Sequence, residues 1–455
     1  MNIYDQALPL KDAPSLVVGY PSEYPLVASI QKEIETLKDL LNDRVTALTL
    51  QVEGRVKRVY VVKNDEVKTL KSARKVASSL LAIKDPVAVV LDSFKEASFI
   101  YEALALASYT FTKVPRKKAP SPSSLSVYTE SKAALRKSQV ISEAINVTKD
   151  LVNTPSNYLN AVDLAELAKT YASFPHTTVE VLGKEAIEKM GMGAFLAVNK
   201  GSLVPPQLIH IKYRNGKNSP LTAVVGKGVM YDTGGYSLKP STSMPTMKMD
   251  MGGAANVMGI FYALAHLEAE VNADGIILAT DNKIGDQAIV PDDIVIAADG
   301  TSIEIVSTDA EGRLTLADAL WYAQQQKADR IIDMATLTGA VIAALGSEHI
   351  GAFTNHPDYL SQLMKSAEAS EEKMWHLPQD ETHIEGLKSH VADLKNSGVR
   401  TAGASVAAAF LNHFVDPNIP WIHLDVAGVT YEDKQGATGR VVKALTEFLI
   451  ENVSL

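Results

Sequence analysis

The 455-residue chain contains no cysteine. Disulfides, thiolate metal sites and cysteine nucleophiles are therefore excluded, and any bound metal must rest on oxygen or nitrogen ligands. Other signatures are missing as well. There is no His-Glu-x-x-His pattern, no Gly-x-Ser-x-Gly elbow, no Walker-type phosphate loop and no dinucleotide glycine fingerprint. No apolar run reaches membrane length: the most apolar late stretch, Ile331 to Leu345, contains Asp333, Thr336 and Thr338. The start, Met-Asn-Ile-Tyr-Asp-Gln, has neither a basic n-region nor an apolar h-region. A signal peptide is not expected, so the expected location is cytoplasmic. Excess positive charge is absent too. Lysine plus arginine is 44 against 53 for aspartate plus glutamate, a net charge of −9 that gives no general pull towards nucleic acid or an anionic membrane. The basic run Arg116-Lys117-Lys118, between Pro115 and Pro120, reads as solvated linker.

What is present is an ordinary globular composition, 46% hydrophobic and 21% charged, long enough for more than one core. The pattern argues for two domains. Residues 1–130 read as a small α/β domain with a linker. Its strand-like runs are Arg58–Lys63 and Val87–Leu91, and helical spacing covers Ile30–Leu41 and Phe94–Tyr109. From Val114 to about Thr129 proline, serine and lysine predominate, as in linkers. A long helical pattern, about Lys132 to Val152, then stops at Asn153-Thr154-Pro155. Residues 131–455 read as a larger domain. Candidate strands Thr178–Leu182, Gln207–Tyr213, Leu221–Val225, Ala273–Leu278, Arg330–Met334 and Trp421–Asp425 alternate with helices near Gly252–Leu267, Leu314–Gln325 and Ala402–Phe414. Such alternation predicts a mixed, mainly parallel sheet flanked by helices, with ligands at the carboxyl ends of its strands.

Two segments carry the chemistry. In the first, the strand ending at Val225 runs into Gly226-Lys227-Gly228, then Asp232, Gly234-Gly235 and Lys239, with Asp250 just before Gly252-Gly253 and a helix. In the second, Ser307-Thr-Asp-Ala-Glu-Gly-Arg-Leu314, Asp309 and Glu311 can aim at one place before Gly312 and Arg313 open another helix. Four carboxylates (Asp232, Asp250, Asp309, Glu311) and three cations (Lys227, Lys239, Arg313) result. Glycine-rich turns with carboxylates often serve only as caps. Two of them at strand-to-helix junctions suit a site better. Four converging carboxylates need counter-charge, which two divalent metals would supply while activating water for hydrolysis. Oxygen ligands suit magnesium or manganese, and zinc is also compatible. The ten histidines are scattered outside both segments, and His423 reads as a core histidine.

These segments closely resemble the leucyl aminopeptidase family of two-metal exopeptidases. Lys149–Asn157, Asp333–Ala340 and Val391–Asn396 match as well, so the resemblance covers about residues 140 to 455. It implies a hydrolase that releases N-terminal residues, preferably leucine-like apolar ones, from peptides with a free N-terminus. It places Lys227, Asp232, Asp250 and Glu311 around one metal, and Asp232, Asp309 and Glu311 around the other. It makes Lys239 the group that polarises the scissile carbonyl. It gives Arg313 a bicarbonate ion to hold as general base, with backbone groups near Ala310, Gly312 and Leu337 completing the cradle. Met247, Thr336 and Gly339 would face the first side chain of the substrate. A homohexamer is also implied. The sequence departs from the family at Met249, where glycine is usual, at Ser307, where asparagine is usual, and in part over Asp281–Asp293. These departures bear on substrate preference. Two other readings stand beside the enzyme: a DNA-binding accessory protein, disfavoured by the net charge, and an inactive scaffold of the same family, disfavoured by the complete set of charged site residues.

Overall fold

In the computed structural model the described residues are 2–5, 15–41, 43–117, 125–398 and 401–452. They form two compact units, Met1–Glu143 and Ala144–Leu455.

Among its described residues the first unit holds six strands: β1 (Asn2–Asp5), β2 (Ser15–Tyr20), β3 (Val45–Val52), β4 (Arg55–Lys63), β5 (Val87–Val90) and β6 (Leu125–Thr129). They lie in the order β1-β6-β5-β2-β4-β3, all parallel except for the β3–β4 hairpin. Its helices are α1 (Pro25–Thr36), α2 (Leu70–Leu81) and α3 (Ala97–Ala107). The helix expected over Ile30–Leu41 begins earlier, because Pro25 fits the first turn, where no N–H is needed. Part of the expected linker is a strand: Leu125, Val127 and Thr129 alternate inward along β6. Linker residues 118–124, including Lys118 of the basic run, lie outside the described residues.

Helix α4 (Arg136–Asn153) leads into the second unit, where α5 (Ala161–Lys169), α6 (Lys184–Lys189) and α7 (Gly193–Asn199) follow. The large sheet contains β7 (Thr177–Leu182), β8 (Gln207–Arg214), β9 (Leu221–Asp232) and β10 (Asn272–Asn282). Short strands β11 (Ile294–Ile296) and β12 (Ser302–Glu304) stand apart from it in a small sheet. The large sheet continues with β13 (Arg330–Ala335), β14 (Ile350–Thr354) and β15 (Met374–His376); β16 (Leu394–Lys395) joins the small sheet, and β17 (Trp421–Asp425) completes the large one. The large-sheet order is β15-β14-β17-β13-β9-β10-β8-β7, with β17, β13, β9 and β10 parallel at its centre. Antiparallel pairs flank that centre, β14 on β17 and β8 on β10, so the sheet is mixed as expected.

Helix α8 (Gly252–His266) covers one face of the central strands, and α9 (Gly312–Gln325) covers the other. The pleat explains how. Ala223 and Val225 point into the core shared with Leu314, Leu316 and Ala317 of α9, so Val224 and Gly226 face α8. From the sequence the strand is expected to end at Val225, with the glycines that follow free to turn the chain or to let it approach a ligand closely. Instead β9 runs on through Asp232. The glycines serve close approach rather than turning. A Cβ on Gly226 would lie 2.5 Å from the Gly253 carbonyl oxygen, and one on Gly253 would lie 2.0 Å from that of Met334.

This contact between β9, β13 and the start of α8 is backbone on backbone, so it cannot yield. Gly253→Ala is expected to cost about 3 kcal/mol or more, at the upper end of overpacking losses. Calorimetric unfolding checks this; an unchanged midpoint would show that the helix start can move.

Candidate metal centre

The carboxyl ends of β9, β10, β13 and β17 gather the functional side chains. Lys227 follows Ala223 and Val225 on the α9 face of β9, and its stem runs across Gly312. A Cβ on Gly312 would sit 2.5 Å from Lys227 Cε and 2.7 Å from its Nζ, so glycine there is a steric condition for the lysine's path. Lys227 Nζ lies 2.7 Å from each Asp250 oxygen and 2.9 Å from Glu311 Oε1, and donates to the Thr336 carbonyl at 3.1 Å. Asp250 stands in the 3-10 turn Met247–Met251 that feeds α8, and also accepts from the Thr336 hydroxyl at 2.8 Å.

Asp232 ends β9. Its Oδ1 accepts from the Gly234 N–H at 2.8 Å and from Asn282 Nδ2 at 2.7 Å, while its Oδ2 lies 2.8 Å from Lys239 Nζ. The same ammonium is 2.5 Å from Asp309 Oδ1. Gly234 turns the chain between them at φ +83°, and a Cβ there would fall 2.7 Å from Asp309 Oδ1. Glu311 stands immediately before α9. One oxygen each from Asp232, Asp309 and Glu311 all lie within 4.8 Å of one another. Residues from both sequence segments thus meet in one cluster.

Asn396 holds the second segment in shape. Its Oδ1 accepts from Val306 N–H (2.8 Å) and Ser307 N–H (3.3 Å), and its Nδ2 donates to the carbonyls of Ser307 (2.6 Å) and Ala310 (3.3 Å). Its own carbonyl accepts from Arg313 Nη1 at 2.9 Å. Arg313 is buried, with its guanidinium 6.0 Å from the centre of the Phe410 ring, and its Nε has no hydrogen-bond partner among the described residues. The Leu337 N–H, an expected part of an anion cradle, donates instead to Asp425 Oδ1 at 3.2 Å. Asp425 also accepts from the Thr338 hydroxyl at 2.6 Å and so fixes the turn after β13. The Thr336 side chain is likewise turned to Asp250, while Met247 is half-buried and Gly339 exposed. His423 lies apart, buried and 2.5 Å from Asp333 Oδ1.

Three residues that organise the cluster were not singled out from sequence: Asn282, Asn396 and Asp425. Asn396 lay within a recognised stretch, Val391–Asn396, but as an uncharged residue far along the chain it gave no sign of contacting Ser307 and Ala310. Asn282 lay in the stretch that departs from the family pattern.

Charge decides what the cluster can bind. Four carboxylates face two ammonium groups, Lys227 and Lys239. Burial drives the carboxyl groups of Asp250, Asp309 and Glu311 above their ordinary range, and the charge on Asp232 adds to the rise; the lysines offset it only in part. Burial alone would lower both lysines, but the surrounding carboxylates outweigh it and hold them above the usual lysine value. Arg313 is pulled down to about 10 by burial. Glu311 Oε2 is buried with no hydrogen-bond partner among the described residues. An unspent buried oxygen, a hard-oxygen donor set and a deficit of positive charge fit divalent cations.

The catalytic-domain profile of the cytosol aminopeptidase family matches residues 146–446. A probable cytosol aminopeptidase of Gloeobacter violaceus is 42% identical over 326 residues, 70% of this chain and 64% of that protein, so the match spans less than two thirds of the relative. One from Clostridium tetani is 44% identical over 362 residues, 76% of this chain and 75% of that protein. A solved structure of a tomato leucine aminopeptidase mutant superposes with a TM-score of 0.83 at 31% identity, covering 99% of this chain and 96% of that one. The chain belongs to the cytosol aminopeptidase family.

Proposed function

We propose that this chain is a metal-dependent aminopeptidase that releases single residues, preferably leucine-like apolar ones, from the free amino ends of peptides. The observation that carries the reading is the convergence of Asp232, Asp250, Asp309 and Glu311 with two lysines at the carboxyl edge of the sheet. Lys227, Asp232, Asp250 and Glu311 would hold one divalent ion, and Asp232, Asp309 and Glu311 the other; as a ligand Lys227 would have to give up its proton, which two neighbouring dications in a buried site would favour, and manganese, zinc and magnesium all suit these donors. When bound, such ions supply Lewis acidity and a water acidified towards neutral pH.

The chain's own residues do the rest. Lys239, on the open side of the cluster, donates to the scissile carbonyl oxygen and offsets the negative charge that develops there. Glu311 and Asp232 lie between the two ligand sets and fix their spacing. Arg313, with Nε unspent, would hold a bicarbonate ion that serves as base. Ala310 and Gly312 flank that position, whereas Leu337 would contribute only on leaving Asp425. Holding the substrate's amino group at the carboxylate cluster restricts cleavage to chain ends. Met247, Thr336 and Gly339 border the space for the first side chain, and Met249 and Ser307 adjust what it admits. A cytoplasmic homohexamer is proposed on the resemblance; no helix among the described residues is long and apolar enough to cross a membrane.

Hydrolysis of a leucine anilide tests the activity. It is expected to vanish on chelation, to return with manganese, magnesium or zinc, and to fall at least about 100-fold in both Asp309→Ala and Lys239→Ala, the scale set by lost oxyanion donors. No turnover of aminoacyl substrates by protein carrying two ions would favour the scaffold instead. Asn396→Ala removes the clamp on the Asp309–Glu311 turn. It should lower kcat/KM by about 100-fold, as displaced catalytic groups do, with all ligands still present; wild-type kinetics would show that the turn holds itself. Sedimentation equilibrium should give six chains per particle, and a monomer would refute the assembly.

A further inference from the structure

The sequence marks His423 as a core histidine. It is buried, but its neighbours are charged. Its Nδ1 lies 2.5 Å from Asp333 Oδ1, and the other oxygen of that carboxylate accepts from Trp421 Nε1 at 2.7 Å. Asp333 and His423 are register partners on β13 and β17, and Asp425 stands two residues further along β17 on the face that Trp421 and His423 share. Asp333 is 0% exposed, and His423 and Asp425 are each 1% exposed. His423 Nε2 has no hydrogen-bond partner among the described residues. Beyond Asp333, therefore, the ring acts on its surroundings through charge. The charged groups that act on it are Asp333 from β13, Asp425 from β17 and Arg313 from α9. The neighbouring strand β14 brings Phe353 and Gly351 opposite His423 and Asp425, and residues 403–412 of the helix Gly403–His413 carry no ionisable side chain.

Asp425 is the next link. It accepts from the N–H groups of Leu337 and Ala427, each at 3.2 Å, and from the Thr338 hydroxyl at 2.6 Å. A carboxylate can accept all three bonds; a carboxylic acid, with one oxygen turned donor, holds them less firmly. Burial lifts Asp425 above the ordinary carboxylate range, and the charge on His423 and the bonds from Thr338, Ala427 and Leu337 oppose the rise. Burial alone would lower His423, but Asp333 and Asp425 outweigh it and the charge of Arg313, and hold the ring above its usual value. A positive charge thus stands where Asp425 needs one. The turn that Asp425 grips begins at Thr336, whose carbonyl accepts from Lys227 at 3.1 Å and whose hydroxyl donates to Asp250 at 2.8 Å. We propose that His423, held by Asp333, is a positioning residue of the active site: its imidazolium keeps Asp425 ionised, and Asp425 fixes the 336–338 turn that orients Lys227 and Asp250. The inference rests on the aminopeptidase reading above.

The test is kcat/KM for leucine anilide with manganese in excess, from about pH 6 to about pH 9. Full-length wild type, His423→Asn, Asp425→Asn and the double variant are compared. Asparagine at 423 keeps an N–H donor for Asp333 and removes the charge, and asparagine at 425 stands in for the protonated acid. Without the imidazolium, Asp425 takes up its proton at a higher pH, so its grip is lost as pH falls and returns as pH rises. His423→Asn is expected to lose about tenfold or more at the acid end and to approach wild type at the alkaline end. Asp425→Asn should lose about tenfold or more throughout, and adding His423→Asn to it should change the rate by less than about twofold, because the histidine acts through this carboxyl group. A His423→Asn defect equal at every pH, or one that adds in full to that of Asp425→Asn, overturns the inference and leaves the histidine a packing residue. Should His423→Asn fail to fold, Asp333→Asn leaves the ring in place and removes the carboxylate that holds its charge. The same acid-end loss is expected there, and a defect equal at every pH again overturns the inference. Wild type that hydrolyses no aminoacyl substrate overturns the aminopeptidase reading and this inference together.

Discussion

Three buried carboxylates, Asp232, Asp250 and Glu311, converge with a more exposed fourth, Asp309, and they can stay ionised together only if positive charge is placed among them. Much of the second unit serves that demand. The parallel centre of the sheet brings β9, β10, β13 and β17 to a common edge. Glycines at 226 and 253 let α8 press onto that edge so that Asp250 reaches Lys227. Glycine at 312 lets the lysine stem pass, and Asn396 shapes the turn that delivers Asp309 and Glu311. Remove the need to balance charge, and few of these close contacts have a purpose.

Much of this was legible in the sequence because the charged groups come in two short segments with distinctive spacing. Strand and helix alternation gave the sheet, and all of the expected strands of the second unit are present. The extent of β9 was misread because glycine has two uses, turning a chain and letting two backbones touch, and local sequence does not separate them. The partner that decides between them, Gly253, lies in the same segment, but its contact with Gly226 forms only when α8 folds back onto β9.

Contacts made across long separations by residues outside the two charged segments were the hardest to see. Asn396 reaches back to Val306 and Ser307, and Asp425 to Leu337, through side chains whose local surroundings give no hint of their targets. The strand β6 was hidden for another reason: it follows a proline- and serine-rich stretch, and five residues alternating inward and outward are a weak signal beside such a composition.

The turn after β13 is gripped from two sides. Thr336 contacts Lys227 and Asp250, while Leu337 and Thr338 are tied to Asp425 at the end of β17. A disturbance at β17 can therefore travel along a single turn of backbone to the cation cluster. Inherited variation in this strand, remote from any substrate, would then register as altered metal retention before it registered as loss of the fold.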